Sequence, residues 1–438
     1  MNQHYASQRK IDPTRLKPDG TPDDNDRVEI SPTQLAFDEW AAAGIESPNL
    51  QRMRQFRYEK LLQALHDWDF GAVLLTDPLN IRYATDTTNM QLWNTHNPFR
   101  YCLLLPDGYM MLWDYARTPH LSAYNPLVQE VREGAGLFYF SASDQMHERA
   151  KSLTDQVKAL MKQHGSENNR IAVDKLMLDG VRAFEAGGLQ VCEGEEMMEK
   201  TRCIKGPDEI AAMRCAMHAC EQAMHEMEDA LKPGMTEVDA WAILQHGNHV
   251  RGGEWIETRI LNSGPRTNPW MQECGPRVLQ PNELFAFDTD MIGCYGMCAD
   301  ISRTWWIGPE DPSPEQRRLY REAQALIVEN TASLKPGMTF AEVTYAGREL
   351  ADEFIPQRYG SKMHGVGLCD EWPSIKWPID LPDIGQDYVL QPGMMLCVEA
   401  YMGIPGARDG IKLEDQVLIT DDGVENLTTY PWDERLMS

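Results

Sequence analysis

The spacing of apolar positions divides the chain into two parts with different patterns. Up to about residue 195, helix-like and strand-like segments alternate, which is typical of an α/β domain. The pattern predicts a helix over 50–67, a buried strand at GAVLLTD (71–77), and a hairpin over 101–115 that turns at Pro106-Asp107-Gly108. Residues 1–35 are polar and contain four prolines, which predicts an arm without a core of its own. We therefore expect a smaller N-terminal α/β domain over residues 36–200.

A long amphipathic helix opens the second part of the chain. Apolar residues recur at spacings of three and four until Lys232-Pro233-Gly234 ends the helix. These residues are Ile210, Met213, Met217, Cys220, Met224, Met227 and Leu231. A methionine-rich face can be a promiscuous binding surface, but a packed core face is the commoner use. A second helix follows Thr236, and the same order returns after Leu334, so residues 201–438 are predicted to form one α+β domain.

An internal repeat supports this division. The segment LKPGMT at 231–236 recurs at 334–339, and VLQP at 278–281 recurs at 389–392. In each copy a carboxylate follows the valine by ten residues, Asp288 in the first and Glu399 in the second. Two matches in the same order predict two related half-domains with pseudo-two-fold symmetry. Such symmetry should bring Asp288 and Glu399 together from opposite sides.

Composition narrows the classes of partner. The 438 residues carry a formal charge of −26, which argues against nucleic acid because phosphate binding needs a positive surface. The charge favours a cationic or zwitterionic substrate, or it serves only solubility. The ten cysteines follow no disulfide-like spacing, and no apolar run reaches the ~18 residues of a membrane span. The first residues also lack the apolar segment of a signal peptide, so a cytoplasmic protein is expected.

Six ionisable residues in the last third of the chain have the spacing of a two-metal site. Asp288 and Asp290 lie two residues apart in the strand-like run LFAFDTD, so both are expected on one face, with Thr289 on the other. Gly293 and Gly296 predict a hairpin that lays the next acid beside them. The candidate ligands are Asp288, Asp290, Asp300, His364, Glu399 and Glu414.

Carboxylates in apolar, strand-like segments need compensation. Ion pairs with Arg303, Lys412 or Arg408 are one solution, and metal ions are the other. Five acids and one imidazole, together with the repeat, favour metal ions. An oxygen-rich set with one imidazole suits Mn²⁺, Fe²⁺ or Co²⁺, with Zn²⁺ as a further option, and acids on both sides can bridge two ions. The same hard-ligand preference predicts that Cys294 and Cys298 fill the core.

These motifs resemble the creatinase/aminopeptidase P/prolidase family, whose catalytic domain has the pita-bread fold. The likeness covers most of the chain and is carried by LTDPLNIRYAT (75–85), RCIKGPDEIAAMR (202–214), YGMCADISRT, HGVGL, PGMMLCVEA and KLEDQVLITDDG. It implies a five-ligand set made of Asp288 or Asp290, Asp300, His364, Glu399 and Glu414. Creatinase lacks this metal frame, so the full set argues against a metal-free amidinohydrolase.

Three departures separate the chain from the peptidases of that family. The peptidases have one Asp with a Gly two residues on, where this chain has Asp288-Thr289-Asp290-Met291. The repeat pairs Asp288 with Glu399, which makes Asp290 the added acid. Asp370 occupies the region of a second peptidase histidine, and Trp270-Met271 occupies the region of another. Because the peptidases use those histidines to hold and protonate the scissile amide, their replacement argues against peptide cleavage.

Within the family, this combination is similar to that of the dimethylsulfoniopropionate lyases. The resemblance implies a homodimer with two divalent metal ions, iron first, and a small zwitterionic sulfonium substrate that undergoes β-elimination to dimethyl sulfide and acrylate. Asp370 is the predicted general base, and Tyr359 is a second catalytic candidate. A sulfonium cation favours aromatic faces, so Trp93, Tyr359 and Trp270 are the predicted substrate-binding residues.

Two other functions are open at this point. A metal-dependent Xaa-Pro dipeptidase or aminopeptidase would use the same metal frame and would release proline. A non-catalytic binding protein on the same fold is the third possibility. A degenerate protein of that kind normally loses metal ligands, and this chain retains the whole set.

Overall fold

The computed structural model describes residues 12, 14–18, 28–134, 136–381 and 388–438. The predicted polar arm, residues 1–35, lies largely outside the described residues. The helices, in chain order, are α1 (Gln34–Ala43), α2 (Leu50–Asp67), α3 (Pro78–Thr85), α4 (Gln91–Asn94), α5 (Tyr139–Ala142), α6 (Met146–Gln163), α7 (Leu178–Ala186), α8 (Glu195–Cys203), α9 (Pro207–Ala230), α10 (Glu237–Val250), α11 (Pro314–Ser333), α12 (Phe340–Tyr345) and α13 (Glu434–Met437).

The strands are β1 (Ala72–Leu75), β2 (Tyr101–Leu104), β3 (Met110–Asp114), β4 (Glu130–Glu133), β5 (Arg170–Val173), β6 (Gln190–Glu193), β7 (Trp255–Ile256), β8 (Leu261–Ser263), β9 (Glu283–Asp288), β10 (Met291–Ile292), β11 (Cys298–Ala299), β12 (Ser302–Ile307), β13 (Met363–Val366), β14 (Asp370–Ile375), β15 (Met395–Gly403), β16 (Gly410–Ile419) and β17 (Val424–Asn426). Contacts divide the chain into two compact units. The first contains Leu50–Thr201 and the described residues before Ser31, and the second contains Ser31–Asn49 and Arg202–Ser438.

The first unit is an α/β domain built on one mixed sheet. Its six strands lie in the order β4-β3-β2-β1-β5-β6. The predicted helix over 50–67, the buried strand near 71–77 and the antiparallel hairpin over 101–115 are all present as α2, β1 and β2–β3. Apolar side chains of the strands and of α6 and α7 form its core.

The second unit contains the predicted repeat. Thr236 pairs with Val278, and Thr339 pairs with Val389, so the same bridge closes each half. Beside each bridge, the amide of Gly234 donates to Leu279 O at 3.0 Å, and the amide of Gly337 donates to Leu390 O at 2.7 Å. Both glycines have positive φ, 96° and 86°, which a residue with a Cβ rarely adopts. The recurring LKPGMT and VLQP segments are therefore contact partners, and the two related halves predicted from the sequence are confirmed.

The two halves differ in the length of one helix. In the first half α10 has 14 residues, whereas α12 in the second half ends after 6. Buried Lys362 donates from Nζ to the carbonyls of Val343 and Thr344 at 3.1 Å each, which satisfies acceptors at the end of α12. The chain from 346 to 361 leaves the helical path and carries Tyr359 to the sheet that holds the candidate ligands.

The core of the second unit surrounds its largest sheet. Five strands lie in the order β14-β13-β15-β16-β17, and every residue of β15 and β16 is buried. The four methionines and Cys220 of the predicted stripe are buried on α9, which confirms it as a core face. Strand β12 pairs with β9 and packs on β16, so acids from both halves face a common interior. Within the described residues, no helix combines the length and apolar character needed to cross a membrane.

Candidate metal centre and its surroundings

Two pairs of strands set the positions of three carboxylates. Glu399 on β15 lies directly opposite Glu414 on β16, and Asp288 at the end of β9 lies opposite Ser302 on β12. The Ser302 hydroxyl contacts Asp288 Oδ1 at 2.7 Å and Glu414 Oε2 at 2.8 Å, which ties the two strand pairs together. The predicted meeting of Asp288 and Glu399 is observed, because one ammonium, that of Lys412, contacts both carboxylates.

Asp290 reaches the cluster by a route that differs from the sequence prediction. Strand alternation was expected to place Asp288 and Asp290 on one face, but β9 ends at Asp288. Asp290 has a φ of 33°, so a tight left-handed turn redirects its side chain toward Asp288 and Asp300. Thr258 Oγ1 donates to Asp290 Oδ2 at 2.6 Å. A strained backbone held in place in this way is common at functional sites.

Asp300 returns to the cluster through the predicted hairpin. Strands β10 and β11 are antiparallel, with Met291 opposite Ala299. Thr289 Oγ1 donates to Ala299 O at 2.8 Å and accepts from the amide of Ile301 at 2.8 Å, which closes the loop between Asp290 and Asp300. The amide of Asp300 donates to Gln416 Oε1 at 3.1 Å, so β16 fixes this acid as well. The hairpin prediction is confirmed.

His364 on β13 completes the set. Its Nε2 atom lies 3.1 Å from Glu399 Oε1, 3.4 Å from Glu414 Oε1 and 3.5 Å from Asp300 Oδ2. Its Nδ1 atom lies 3.0 Å from Gly365 O, which suits an Nδ1–H donor. That tautomer leaves the Nε2 lone pair directed at the carboxylates, as a metal-ligating imidazole requires.

The donor atoms fit a metal centre. Ligand atoms from Asp288, Asp290 and Asp300 lie within 4.8 Å of one another, and so do atoms from Asp300, His364, Cys397 and Glu414. Among the described residues, the buried oxygens Asp300 Oδ1 and Glu414 Oε1 accept no hydrogen bond of ordinary geometry. Buried carboxylate oxygens without donors are costly, and divalent cations compensate them well.

Lys412 is the main functional candidate that sequence analysis did not single out. Its buried ammonium lies 2.6 Å from Glu414 Oε2, 3.0 Å from Glu399 Oε2 and 3.4 Å from Asp288 Oδ2. The sequence offered Lys412 only as one of three possible ion-pair partners. Arg303 instead pairs with Asp415 and Arg408 with Asp409, so Lys412 is the cation that the fold delivers to these acids. Alternation along β16 could have indicated this, because Lys412 and Glu414 share a face.

The pKa values of the acids in the cluster are shifted in different directions. Burial, with Glu414 and Asp290 adding to it, raises the pKa of the Asp300 carboxyl well above its usual value. Burial and the neighbouring Asp288 raise the pKa of Asp290 in the same way. Burial alone would raise the pKa of Glu414, but Lys412 and His364 outweigh it and hold that pKa below its ordinary value.

Asp370 lies at the edge of the cluster. Its side chain is 48% exposed, and Oδ1 lies 3.8 Å from His364 Nδ1. Surrounding protein withdraws water from the carboxyl and raises the pKa of Asp370 to about 7, with His364 opposing the rise and Glu414 and Glu399 adding to it. A carboxyl that reaches solvent beside a buried carboxylate cluster, with a pKa near neutrality, is suited to proton transfer.

Two of the three predicted aromatic residues lie at the same site. Trp270 packs with Tyr401 and Tyr359 in one apolar cluster, and its buried indole Nε1 has no partner among the described residues. The Lys412 ammonium lies 4.6 Å from the centre of the Tyr359 ring, so one face of this ring already holds a cation of the protein. Trp93 belongs to the other unit, where its ring packs against Tyr115. Its role in substrate binding stays a prediction.

Three cysteines lie near the acids. Cys294 and Cys298 are fully buried, as the core-filling prediction requires. Cys397, two residues before Glu399 on β15, faces the cluster and shares a group with Asp300, His364 and Glu414. This thiol could have been predicted from the sequence, because its two-residue spacing from Glu399 places both side chains on one strand face.

Comparison with known proteins agrees with this geometry. Residues 211–421 match the description "Metallopeptidase family M24". Over its full length the chain is 56% identical to the dimethylsulfoniopropionate lyase DddP of Roseovarius nubinhibens, covering 100% of each chain. It is 52% identical to the protein of the same name from Roseobacter denitrificans, covering 100% of this chain and 99% of that relative. The chain belongs to the M24 metallopeptidase family.

A solved M24-like structure confirms the fold. The Xaa-Pro dipeptidase from Bacillus anthracis superposes with a TM-score of 0.69 at 22% identity, covering 86% of this chain and 98% of the dipeptidase. At that identity the likeness concerns the fold alone. The predicted α+β class, with a pita-bread domain after a smaller α/β domain, is confirmed.

We expect Asp290→Ala to lower the metal content of this M24 protein while the fold persists. Asp290 has a left-handed backbone conformation, and within the described part of the chain its carboxylate accepts a hydrogen bond from the Thr258 hydroxyl, so the side chain serves the centre more than the fold. Loss of an outer partner of a metal typically weakens affinity by about 10–100-fold, and loss of a ligand should weaken it at least as much. Metal titration of the refilled protein measures this change. Unchanged affinity and activity would make Asp290 an ordinary neighbouring acid.

Proposed function

We propose that this chain is a metal-dependent dimethylsulfoniopropionate lyase that forms dimethyl sulfide and acrylate by β-elimination. The observation that carries the proposal is the half-exposed Asp370 carboxyl, 3.8 Å from His364 at the edge of a buried carboxylate cluster. Full-length identities of 56% and 52% to two dimethylsulfoniopropionate lyases support it. The peptidase alternative rests on the metallopeptidase family match over residues 211–421 and on likeness of fold.

Six residues are proposed to hold two divalent metal ions: Asp288, Asp290, Asp300, His364, Glu399 and Glu414. When ionised, the five carboxylates and the Lys412 ammonium together carry four negative charges, which two divalent ions would balance. We propose iron, because an oxygen-rich set with one imidazole suits Fe²⁺, while Mn²⁺, Co²⁺ and Zn²⁺ are compatible with the same donors. When bound, the ions supply positive charge that stabilises negative charge developing on the substrate carboxylate.

The reaction needs a base beside the substrate carboxylate. Asp370 takes the proton from the carbon next to that carboxylate, and the electrons of the C–H bond form the C=C bond of acrylate. The C–S bond breaks, and its electron pair leaves with sulfur as dimethyl sulfide. A carboxyl whose pKa is raised by burial is a stronger base than an ordinary aspartate, and Asp370 combines that rise with access to solvent.

Recognition of the zwitterion is assigned to residues around the base. The buried Trp270 Nε1–H has no partner among the described residues, so it can donate a hydrogen bond to an oxygen of the substrate carboxylate. The sulfonium group is proposed to use the aromatic faces of Trp270 and Tyr359. Because Lys412 covers one face of Tyr359, only the other face is offered to the substrate. The homodimer implied by the family resemblance belongs to this proposal, and sedimentation of the purified protein tests it.

The experiment that tests the function compares two substrates. Purified metal-replete protein is incubated with dimethylsulfoniopropionate and, separately, with Gly-Pro. We expect dimethyl sulfide from the first and little or no proline from the second. Rapid proline release without dimethyl sulfide would favour an Xaa-Pro dipeptidase, and no reaction with either would favour a binding protein on the same fold.

A further inference from the structure

A buried ion cluster lies immediately beside the proposed base. Glu371 follows Asp370 on β14, and its side chain has no solvent exposure. Arg202 Nε donates to Glu371 Oε2 at 3.0 Å, and Lys205 Nζ contacts Glu371 Oε1. Burial opposes ionisation of Glu371, but Lys205 and Arg202 outweigh it and hold the pKa of its carboxyl below the ordinary value. We call these three residues the Glu371 clamp.

Asp370 and the clamped Glu371 are adjacent on strand β14. Successive side chains of a strand point to opposite faces, so β14 directs Glu371 into the clamp and Asp370 toward His364. Any twist of the strand that moved one carboxyl would move the other. Fixing Glu371 between two buried cations therefore fixes the direction of Asp370.

The cationic side of the clamp is itself tied to the metal-centre sheet. The amide of Lys205 donates to Gly393 O at 2.9 Å, and Ile204 forms an antiparallel β-bridge with Met394. Those residues lead directly into β15, the strand that carries Glu399. The clamp thus links the strand of the proposed base to the strand of a proposed ligand.

The turn between β13 and β14 is shaped around the same carboxylate. A Cβ on Gly367 would lie 2.3 Å from Glu371 Oε1, so a larger residue would displace the clamped group. The carbonyl of Gly367 accepts from the amide of Cys298 at 2.8 Å, two residues before Asp300. The turn is therefore held by the clamp on one side and by the Asp300 segment on the other.

We propose that Glu371 is a positioning residue, which holds Asp370 at the distance and direction needed for proton abstraction. This inference rests on the proposed lyase function with Asp370 as base. Glu371 makes no contact with substrate in this account, and it acts through the β14 backbone. Misplacement of a catalytic group by about 1 Å can cost about 100-fold in rate, and a weakened clamp should cost part of that.

The test combines Glu371→Gln with Asp370→Asn. We expect Glu371→Gln to lower kcat for elimination by about 10-fold, with KM and metal content nearly unchanged, since ground-state binding and the ligands are left in place. In the Asp370→Asn background the same substitution should lower kcat by less than about 2-fold, because there is then no base left to position. The matched control is Glu39→Gln, a largely buried glutamate of α1 that accepts two hydrogen bonds from buried Arg251, since α1 carries none of the proposed ligands. It should leave kcat nearly unchanged.

The possible outcomes separate this inference from the function that it assumes. If Glu371→Gln lowered kcat equally in the native and the Asp370→Asn proteins, Glu371 would be a general stabilising residue and the proposal would be overturned. An unchanged kcat in Glu371→Gln would also overturn it. If Asp370→Asn retained full elimination, the proposed base would fail instead. Should Glu371→Gln not fold, Lys205→Met keeps the Arg202 contact and weakens the clamp from its other side. The conservative Lys205→Arg should then recover most of the lost kcat.

Discussion

Replacement of Asp370 by Asn should reduce kcat for elimination by about 100-fold or more, the usual effect of losing a well-placed general base. Asn keeps the shape of the side chain but cannot accept the proton, so Asp370→Ala should be only slightly worse. Asp370 lies 3.8 Å from His364 Nδ1 and is half exposed, so neither the metal content nor the melting temperature should change much. Steady-state kinetics, elemental analysis and thermal unfolding measure the three quantities on one preparation.

A surface acid provides the control for this experiment. Asp311→Asn removes the same charge from a side chain that is 84% exposed and 3.8 Å from Arg317. It should leave elimination unchanged. Near-native turnover in either Asp370 variant would remove this residue from the mechanism, and a large loss of metal in Asp370→Asn would make it a ligand.

Removal of the metal ions should abolish turnover and destabilise the protein. The carboxylates of the centre are buried, and without divalent ions Lys412 is left as the main compensating cation. Ions that bind only the folded state at 1,000 times their Kd would stabilise it by about 4 kcal/mol. Dialysis against a chelator should therefore lower the melting temperature and reduce dimethyl sulfide release below about 1% of the native rate, in keeping with the loss of a central charge-stabilising group.

Refilling distinguishes the metal ions. Fe²⁺, Mn²⁺, Co²⁺ and Zn²⁺ added separately should restore stability with close to two ions per chain, and we expect iron to restore the most turnover. Addition of Mg²⁺ provides a hard-cation control. Full activity in protein shown by elemental analysis to be free of metal would contradict the proposed centre.

The division of the second unit into two related halves could be predicted from the sequence, because the repeated segments are identical and contact each other within each half. The LKPGMT and VLQP segments meet in each half, Thr236 with Val278 and Thr339 with Val389, so their recurrence in the chain reports a recurrence in space. Burial of the α9 stripe follows from helical spacing in the same direct way. The acids were found because carboxylates inside apolar strands stand out against their neighbours.

Other features depend on geometry that spacing does not encode. Asp290 was expected to continue a strand, but the strand ends at Asp288 and a left-handed turn brings the carboxylate in. The early end of α12 is also not visible in the spacing of apolar residues. It depends on Lys362, which lies just before β13 and donates to the Val343 carbonyl at the end of the helix. The Glu371 clamp joins residues 169 and 166 positions apart, a pairing that one sequence cannot specify.

The most direct test of the central claim is the product balance of one reaction. Metal-replete protein is given dimethylsulfoniopropionate, and dimethyl sulfide and acrylate are quantified together by nuclear magnetic resonance. Elimination with Asp370 as base predicts equal amounts of the two products, and both should fall together in Asp370→Asn. Dimethyl sulfide accompanied by 3-hydroxypropionate in place of acrylate would indicate displacement by water and would contradict the account.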